Sequence, residues 1–453
     1  MDFEKIISNG VDEATAMFKA ERDLNATDED GYRTLMQTIL SAYNWREQNH
    51  TVEKLKLLLT MGADPNLTGS QGESPLMRVA GIDSLQGEDC VQLLLAAKAN
   101  PNYQDGTGKT ALMRAAFAGH ESIVQRLLKG GASIDLLAGQ GKTALMLAVD
   151  AGHDATACLL LKAGANVNLQ DVNGNTALMS ELNKEKVRMD LVSCLIAAAA
   201  NVNLQNTRGF TCLHRAVMAG QSQLVNTLIA AGANVNLRDG KGRAALSHAV
   251  ERKKDALEVV ALLLGAGAVV DDPDGGGKTA LMIAAQVGDR DVAQRLLDAG
   301  ASVQIHDING VTALMCACAS GRAQTAVLLI QSGSDIEARN VEGKTALMLA
   351  VGDLKTVNAL LAAKADVNVT DNKGLTPIMC AVAGYFDSNW EVIKQLIKIG
   401  ADFSVRDSVG KTALLMASAG FGRANVVAVL LSSGADVDAA TPNGQTSLML
   451  RPS

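Results

Sequence analysis

Asp171-Val172-Asn173-Gly174-Asn175-Thr176-Ala177-Leu178-Met179 ends in a tetrapeptide that the chain uses again and again. Thr-Ala-Leu-Met stands at 110–113, 143–146, 176–179, 279–282, 312–315 and 345–348, and looser versions such as Ser74-Pro75-Leu76-Met77 and Thr376-Pro377-Ile378-Met379 fill the gaps. The apolar anchors are residues 35, 76, 112, 145, 178, 213, 246, 281, 314, 347, 378, 414 and 448. Their spacings run 41, 36, 33, 33, 35, 33, 35, 33, 33, 31, 36 and 34. Thirteen anchors near one period make a repeat array, and the repeat sets the architecture before any local reading does.

One unit shows why the period folds. Asp171-Val172-Asn173-Gly174 is turn chemistry, with a glycine free to take positive φ. Thr176 is a good N-cap, because its hydroxyl can accept a bond from an unpaired N–H of the next turn. A short helix is expected from Ala177 and a second from Leu191 to about Ala198. In most units Gly-Ala then stops the second helix, as at Gly164-Ala165, since glycine suits the left-handed C′ position. Neither helix buries its apolar face alone. Each unit must therefore stack on its neighbours, giving a solenoid with nearest-neighbour energetics.

The residues from Asp105 to His120 carry a resemblance. Asp105-x-x-Gly108-x-Thr110-Ala111-Leu112-Met113-x-Ala115-Ala116-x-x-Gly119-His120 is similar to the ankyrin repeat, as is Gly400-Ala401-Asp402. The resemblance implies an all-α, curved solenoid of about 13 repeats, helix-turn-helix units joined by β-hairpin-like turns. The expected divisions are an opening helix pair in 1–27, the array in 28–440 and an incomplete repeat in 441–453. The departures are specific. The family's proline survives at Pro75 and Pro377, and its histidine at His214. Methionine takes the histidine position at 36, 77, 113, 146, 179, 282, 315, 348, 379 and 449. Methionine cannot make the histidine's polar bonds, so that position is expected to supply packing instead.

Composition agrees with a small-residue core. Of 453 residues, 48% are hydrophobic but only 3% aromatic, so Ala, Leu, Val and Met must fill the interior. No run of 18 apolar residues provides a membrane span, and Met1-Asp2-Phe3-Glu4-Lys5 lacks the basic start of a secretory signal. A net charge of −7 argues against phosphate-backbone binding, so no nucleic acid and no membrane is expected as partner. Seven cysteines without a C-x-x-C pair read as small buried hydrophobes in a reducing, cytoplasmic compartment.

Several motifs imitate chemistry. Gly-Lys-Thr occurs at 108–110, 141–143, 277–279, 343–345 and 410–412. A phosphate-binding loop needs a second glycine five residues earlier, and those positions hold Tyr103, Leu136, Asp272, Ala338 and Val405. The five copies are in repeat register: a turn glycine, an exposed lysine and a Thr cap. His120 and His153 fall at the family's Gly-His position, a structural one, while His50, His248 and His306 read as isolated on exposed stretches. Nothing resembles a metal-ligand cluster or a catalytic constellation, so no cofactor, metal or enzyme activity is expected.

Function is then expected on a surface. The resemblance implies docking on the concave side, at positions 2, 3, 5, 13 and 14 counted from the repeat's aspartate. Carried onto the middle units, this gives Lys184, then Arg208, Phe210 and Met218, then Lys241, Arg243 and Arg252, then Lys278, with Phe117 and Tyr32 earlier. Six basic residues face one acid, Glu251, at these positions of the four middle units, on a chain that is acidic overall. That suits an acidic segment of a partner protein. Tyr43 and Trp45 fall in the insertion behind the spacing of 41, and Tyr385, Phe386 and Trp390 in the later 36. Trp45, Tyr385 and Trp390 are the aromatic candidates for an interface. The charged loops Lys184–Arg188 and Glu251–Asp255 read as solvated. The expected activity is non-enzymatic protein binding as a scaffold or adaptor. An inhibitor or immunity-type protein that occludes an enzyme, and the binding region of a larger effector, stay open as alternatives.

Overall fold

In repeat after repeat the turn aspartate closes its own loop. Asp171 Oδ1 accepts the N–H groups of Asn173 and Asn175 at 2.9 and 2.8 Å, and the Asp171 N–H reaches Asn175 O at 3.0 Å. Thr176 is extended (φ −83°, ψ 170°), and its hydroxyl accepts the Met179 N–H at 3.3 Å. That cap starts the helix Ala177–Leu182, which the helix Met189–Ala197 follows. The computed structural model describes residues 10–20, 23–25, 36, 40, 50–69, 72–82, 85–252, 255–384, 389–420 and 424–450. Among them are twenty-four helices, no strand, and three isolated β-bridges at hairpin bases such as Arg238 with Ala244. The chain divides into two compact units, Met1–Arg215 and Ala216–Ser453.

Within each unit, like packs on like. In the first, Ala111–Ala118 lies against Ala144–Ala151, and Leu85–Ala96 against Glu121–Lys129. In the second, Ala280–Val287 lies against Ala313–Ala319, and Ala323–Gln331 against Leu354–Ala362. The hairpin tips are stitched by one backbone bond each: Thr207 N–H to Asn173 O (2.9 Å) in the first unit, Val341 N–H to Asn309 O (2.9 Å) in the second. Gly174 shows what this closeness demands. Its φ is +74°, and a Cβ would sit 2.8 Å from Asn206 Cα. An asparagine ladder adds a second seam. Asn236 receives the Val269 N–H at 2.9 Å and donates to Gly267 O at 3.1 Å, one repeat on.

The methionine row is core. Met113, Met146, Met179, Met282, Met315 and Met379 are all buried. Where histidine persists, His214 Nδ1 lies 2.8 Å from Thr211 Oγ1; where Met348 replaces it, the buried Thr345 hydroxyl has no hydrogen-bond partner. One methionine corrects the expectation. Met449 is 69% exposed, on the stretch 447–450 that forms a turn and not a helix.

Candidate partner-binding surface

The hairpin tips and first helices carry most of the expected contact residues, and the structure divides them between the two units. Lys184, Arg208, Phe210 and Phe117 belong to the first; Met218, Lys241, Arg243, Arg252, Lys278 and Trp390 to the second. Tyr32, Trp45 and Tyr385 lie outside the described residues, as do Tyr43 and Phe386.

In the first unit, much of the positive charge is already matched. Arg114 Nη2 meets Glu73 Oε1 at 2.7 Å and Asp105 Oδ2 at 3.0 Å. Burial pushes the Asp105 carboxyl up, but hydrogen bonds from Thr107, Arg114 and the backbone outweigh it and hold the pKa below its ordinary value. Lys142, the lysine of the second Gly-Lys-Thr, is half-buried between Asp150 (2.9 Å) and Asp171 (3.3 Å) and is not an exposed side chain. The loop at 184–188 is solvated only in its middle, where Glu185 and Lys186 are exposed. Lys184 and Arg188 close over the buried Glu181, at 3.3 Å for Lys184, and Lys184 also donates to Val149 O of the previous repeat. Phe117 is 57% exposed on its first helix, and Arg208 is exposed on its tip. Phe210 is half-buried, edge-on to His214 at 5.8 Å and under the Arg215 guanidinium at 5.3 Å.

The second unit sorts its residues in the same way. Lys241 is exposed on its tip and Met218 is exposed on its helix. Arg243 is half-buried, paired with Glu251 at 2.6 Å and bonded to His248 Nδ1 at 2.6 Å. Arg252 lies across Gly220 and donates to Met218 O, so this side chain is engaged with the preceding repeat. His248, read from sequence as exposed, is 5% exposed: its Nε2 meets Asp239 Oδ2 at 2.8 Å. Because Nδ1 accepts from Arg243, Nε2 carries the proton and the ring is neutral. Lys278 and Trp390 are half-buried, and Lys394 Nζ stands 3.8 Å over the Trp390 ring.

Sequence reading missed two features. Arg215 was not among the docking positions, because it stands outside positions 2, 3, 5, 13 and 14 counted from the turn residue Asn206. Cys158 and Cys194, 36 residues apart, bring their sulfurs to 2.7 Å of each other between successive second helices. Repeat spacing alone could have signalled that pair. Among the described residues no three His, Cys, Asp or Glu side chains converge as a metal site would need, and no helix is long and apolar enough to cross a membrane.

A hairpin, a first helix and a second helix stacked at this period define an ankyrin-type repeat protein. The family described as ankyrin repeats (3 copies) matches the chain in overlapping stretches from residues 39–136 to residues 352–441, and the chain belongs to it. No curated protein matches it as a relative. Ankyrin repeats are generally protein–protein interaction modules and are typically non-enzymatic.

Proposed function

We propose that this chain is a non-enzymatic scaffold or adaptor that receives an acidic segment of another protein on its hairpin tips and first-helix face, the concave side in this family. The observation that carries the reading is selective pairing of charge. Arg114, Lys142, Lys184 and Arg243 are each bound to carboxylates of the chain itself, whereas Arg208 in one unit and Lys241 in the other stand exposed on tips with no such pair among the described residues. Phe117 and Met218 are exposed on first helices and add apolar side chains to that face, a residue type that protein interfaces use. The seven free cysteines accord with a reducing, intracellular setting, and a net charge of −7 accords with a protein partner over a nucleic acid.

Affinity purification followed by hydrogen exchange of the purified pair tests this. The expected protection falls on tips such as 206–210 and 239–243 and on the first helices. Protection confined to the second helices, for example Glu121–Lys129 or Arg290–Asp298, would overturn it. Raising salt should slow association more than it speeds dissociation, since rim charges act mainly on encounter.

A further inference from the structure

Arg114 and Arg215 occupy the same register, nine residues after the turn residues Asp105 and Asn206, yet their surroundings differ in one respect. Both guanidinium groups bury an Nε that has no hydrogen-bond partner. Arg114 is answered by two carboxylates, Asp105 at 3.0 Å and Glu73 at 2.7 Å. Around Arg215 both acids have become amides. Asn206 stands in place of Asp105 and Asn175 in place of Glu73, and the two amides bond each other at 3.1 Å. Asn206 still closes its turn, accepting the N–H groups of Arg208 and Phe210 at 3.0 Å each, so the fold has lost nothing but the negative charge. Arg215 rests on the Phe210 ring, 5.3 Å from its centroid, and no carboxylate among the described residues pairs with it. Burial first, and the Arg208 charge second, lower its pKa, as expected of a cation set apart from any anion. A guanidinium held half-buried on an aromatic face costs stability unless something returns the missing charge.

We propose that Arg215, backed by Phe210 and flanked by Arg208, grips a carboxylate side chain of the partner's acidic segment. The chain's own Arg114 supplies the template: at this register the guanidinium takes carboxylates at 2.7–3.0 Å, and the partner supplies from outside the negative charge that Asp105 and Glu73 supply there. The inference rests on the proposed docking face and names its central contact.

Titration of the full chain with an N-acetylated hexaglutamate peptide tests it. Arg215→Gln should weaken binding roughly tenfold or more, the scale of losing one partner of a desolvated charge pair. Asn206→Asp should do the same while raising the thermal midpoint, because its second oxygen pairs with Arg215 inside the chain. Lys129→Gln, an equal charge change on an exposed second-helix position, should leave affinity within about twofold. Equal loss from Lys129→Gln, or no loss from Asn206→Asp and Arg215→Gln, would overturn the assignment. Tighter, Arg215-dependent binding of a phosphoserine peptide of the same length would assign the site to phosphate and overturn it too. If partner protection still falls on the tips while Arg215 proves irrelevant, this contact alone fails; protection elsewhere removes the docking face itself.

A second inference stands on the cysteine pair. Cys158 and Cys194, on the helices Asp154–Lys162 and Met189–Ala197, hold their sulfurs 2.7 Å apart, within about 0.7 Å of a disulfide's ~2.05 Å. Both are partly exposed thiols. We infer that they are a built-in disulfide site that joins two successive repeats when glutathione disulfide is present. The Cys158 thiolate attacks one glutathione sulfur and expels a glutathione thiolate; the Cys194 thiolate then displaces the second glutathione. The two cysteines lose two electrons and two protons, and glutathione disulfide is reduced to two thiols. Burial and the neighbouring Cys194 push the Cys158 thiol up to about 11, so the step should be slow near neutrality and quicker in mildly alkaline solution. Oxidation of the folded chain followed by alkylation and peptide mapping should return one Cys158–Cys194 linked peptide and a raised thermal midpoint, both lost in Cys158→Ser. Both cysteines recovered as alkylated thiols, or either one left carrying glutathione, would overturn the inference.

Discussion

Lys98, Ala199 and Lys364 hold φ of +68°, +63° and +65° just past second helices, where Gly164, Gly300 and Gly434 stand in other repeats. A side chain in that region costs ~1–2 kcal/mol, and a glycine there recovers it less the extra freedom it brings to the unfolded chain. Lys98→Gly, Ala199→Gly and Lys364→Gly should each stabilise by about 0.5–1 kcal/mol in chemical denaturation. His248 makes the second prediction at this scale. Burial first and Arg243 second lower its pKa below the ordinary 6.5, against the pull of Asp239. The unfolded chain therefore takes up this proton at a higher pH than the folded one. Stability should be level above about pH 6.5 and fall as pH drops below it, with the slope reduced in His248→Gln. Its burial was hidden in the sequence because the residue stands alone in its stretch. What encloses it, Asp239 nine residues earlier and Arg243 five, becomes visible only once the hairpin folds back on the helix.

At the scale of the repeat, the Thr cap, the turn aspartate and the two helices were legible because each is set by residues close together in the chain. The seams between repeats were less so, since their partners lie 31–34 residues away and the chemistry is carried by one asparagine. Asn236→Ala removes one bond donated to Gly267 O and one accepted from Val269 N, and should cost about 1–2 kcal/mol. Asn236→Asp keeps the acceptor and loses the donor, so a denaturation series should place it between wild type and alanine. Charge was the least legible property. Summing Lys and Arg at docking positions counts Lys184 and Arg243 as free, although buried or neighbouring acids of the chain already hold them. The sum also omits Arg215, whose significance arises from two acids that are absent.

Within each of the two units, a core built from Ala, Leu and Met in place of large aromatics has no single centre; it is a succession of thin interfaces between neighbouring helices. Damage should then stay near where it is made, unlike in a globular domain with one core. Met282 is the place to ask, since it is fully buried on the helix Ala280–Val287, which packs between Ala245–Val250 and Ala313–Ala319 in the second unit. Met282→Ala removes a side chain from a site that cannot fully collapse, at ~2–5 kcal/mol. Hydrogen exchange should show protection lost in those three helices while Ala413–Ser418, four repeats along the same unit, keeps its own. If exchange rises evenly across the second unit, the repeats unfold as one body and nearest-neighbour coupling is the wrong description. If it rises nowhere, the methionine row is not the packing seam that its burial implies.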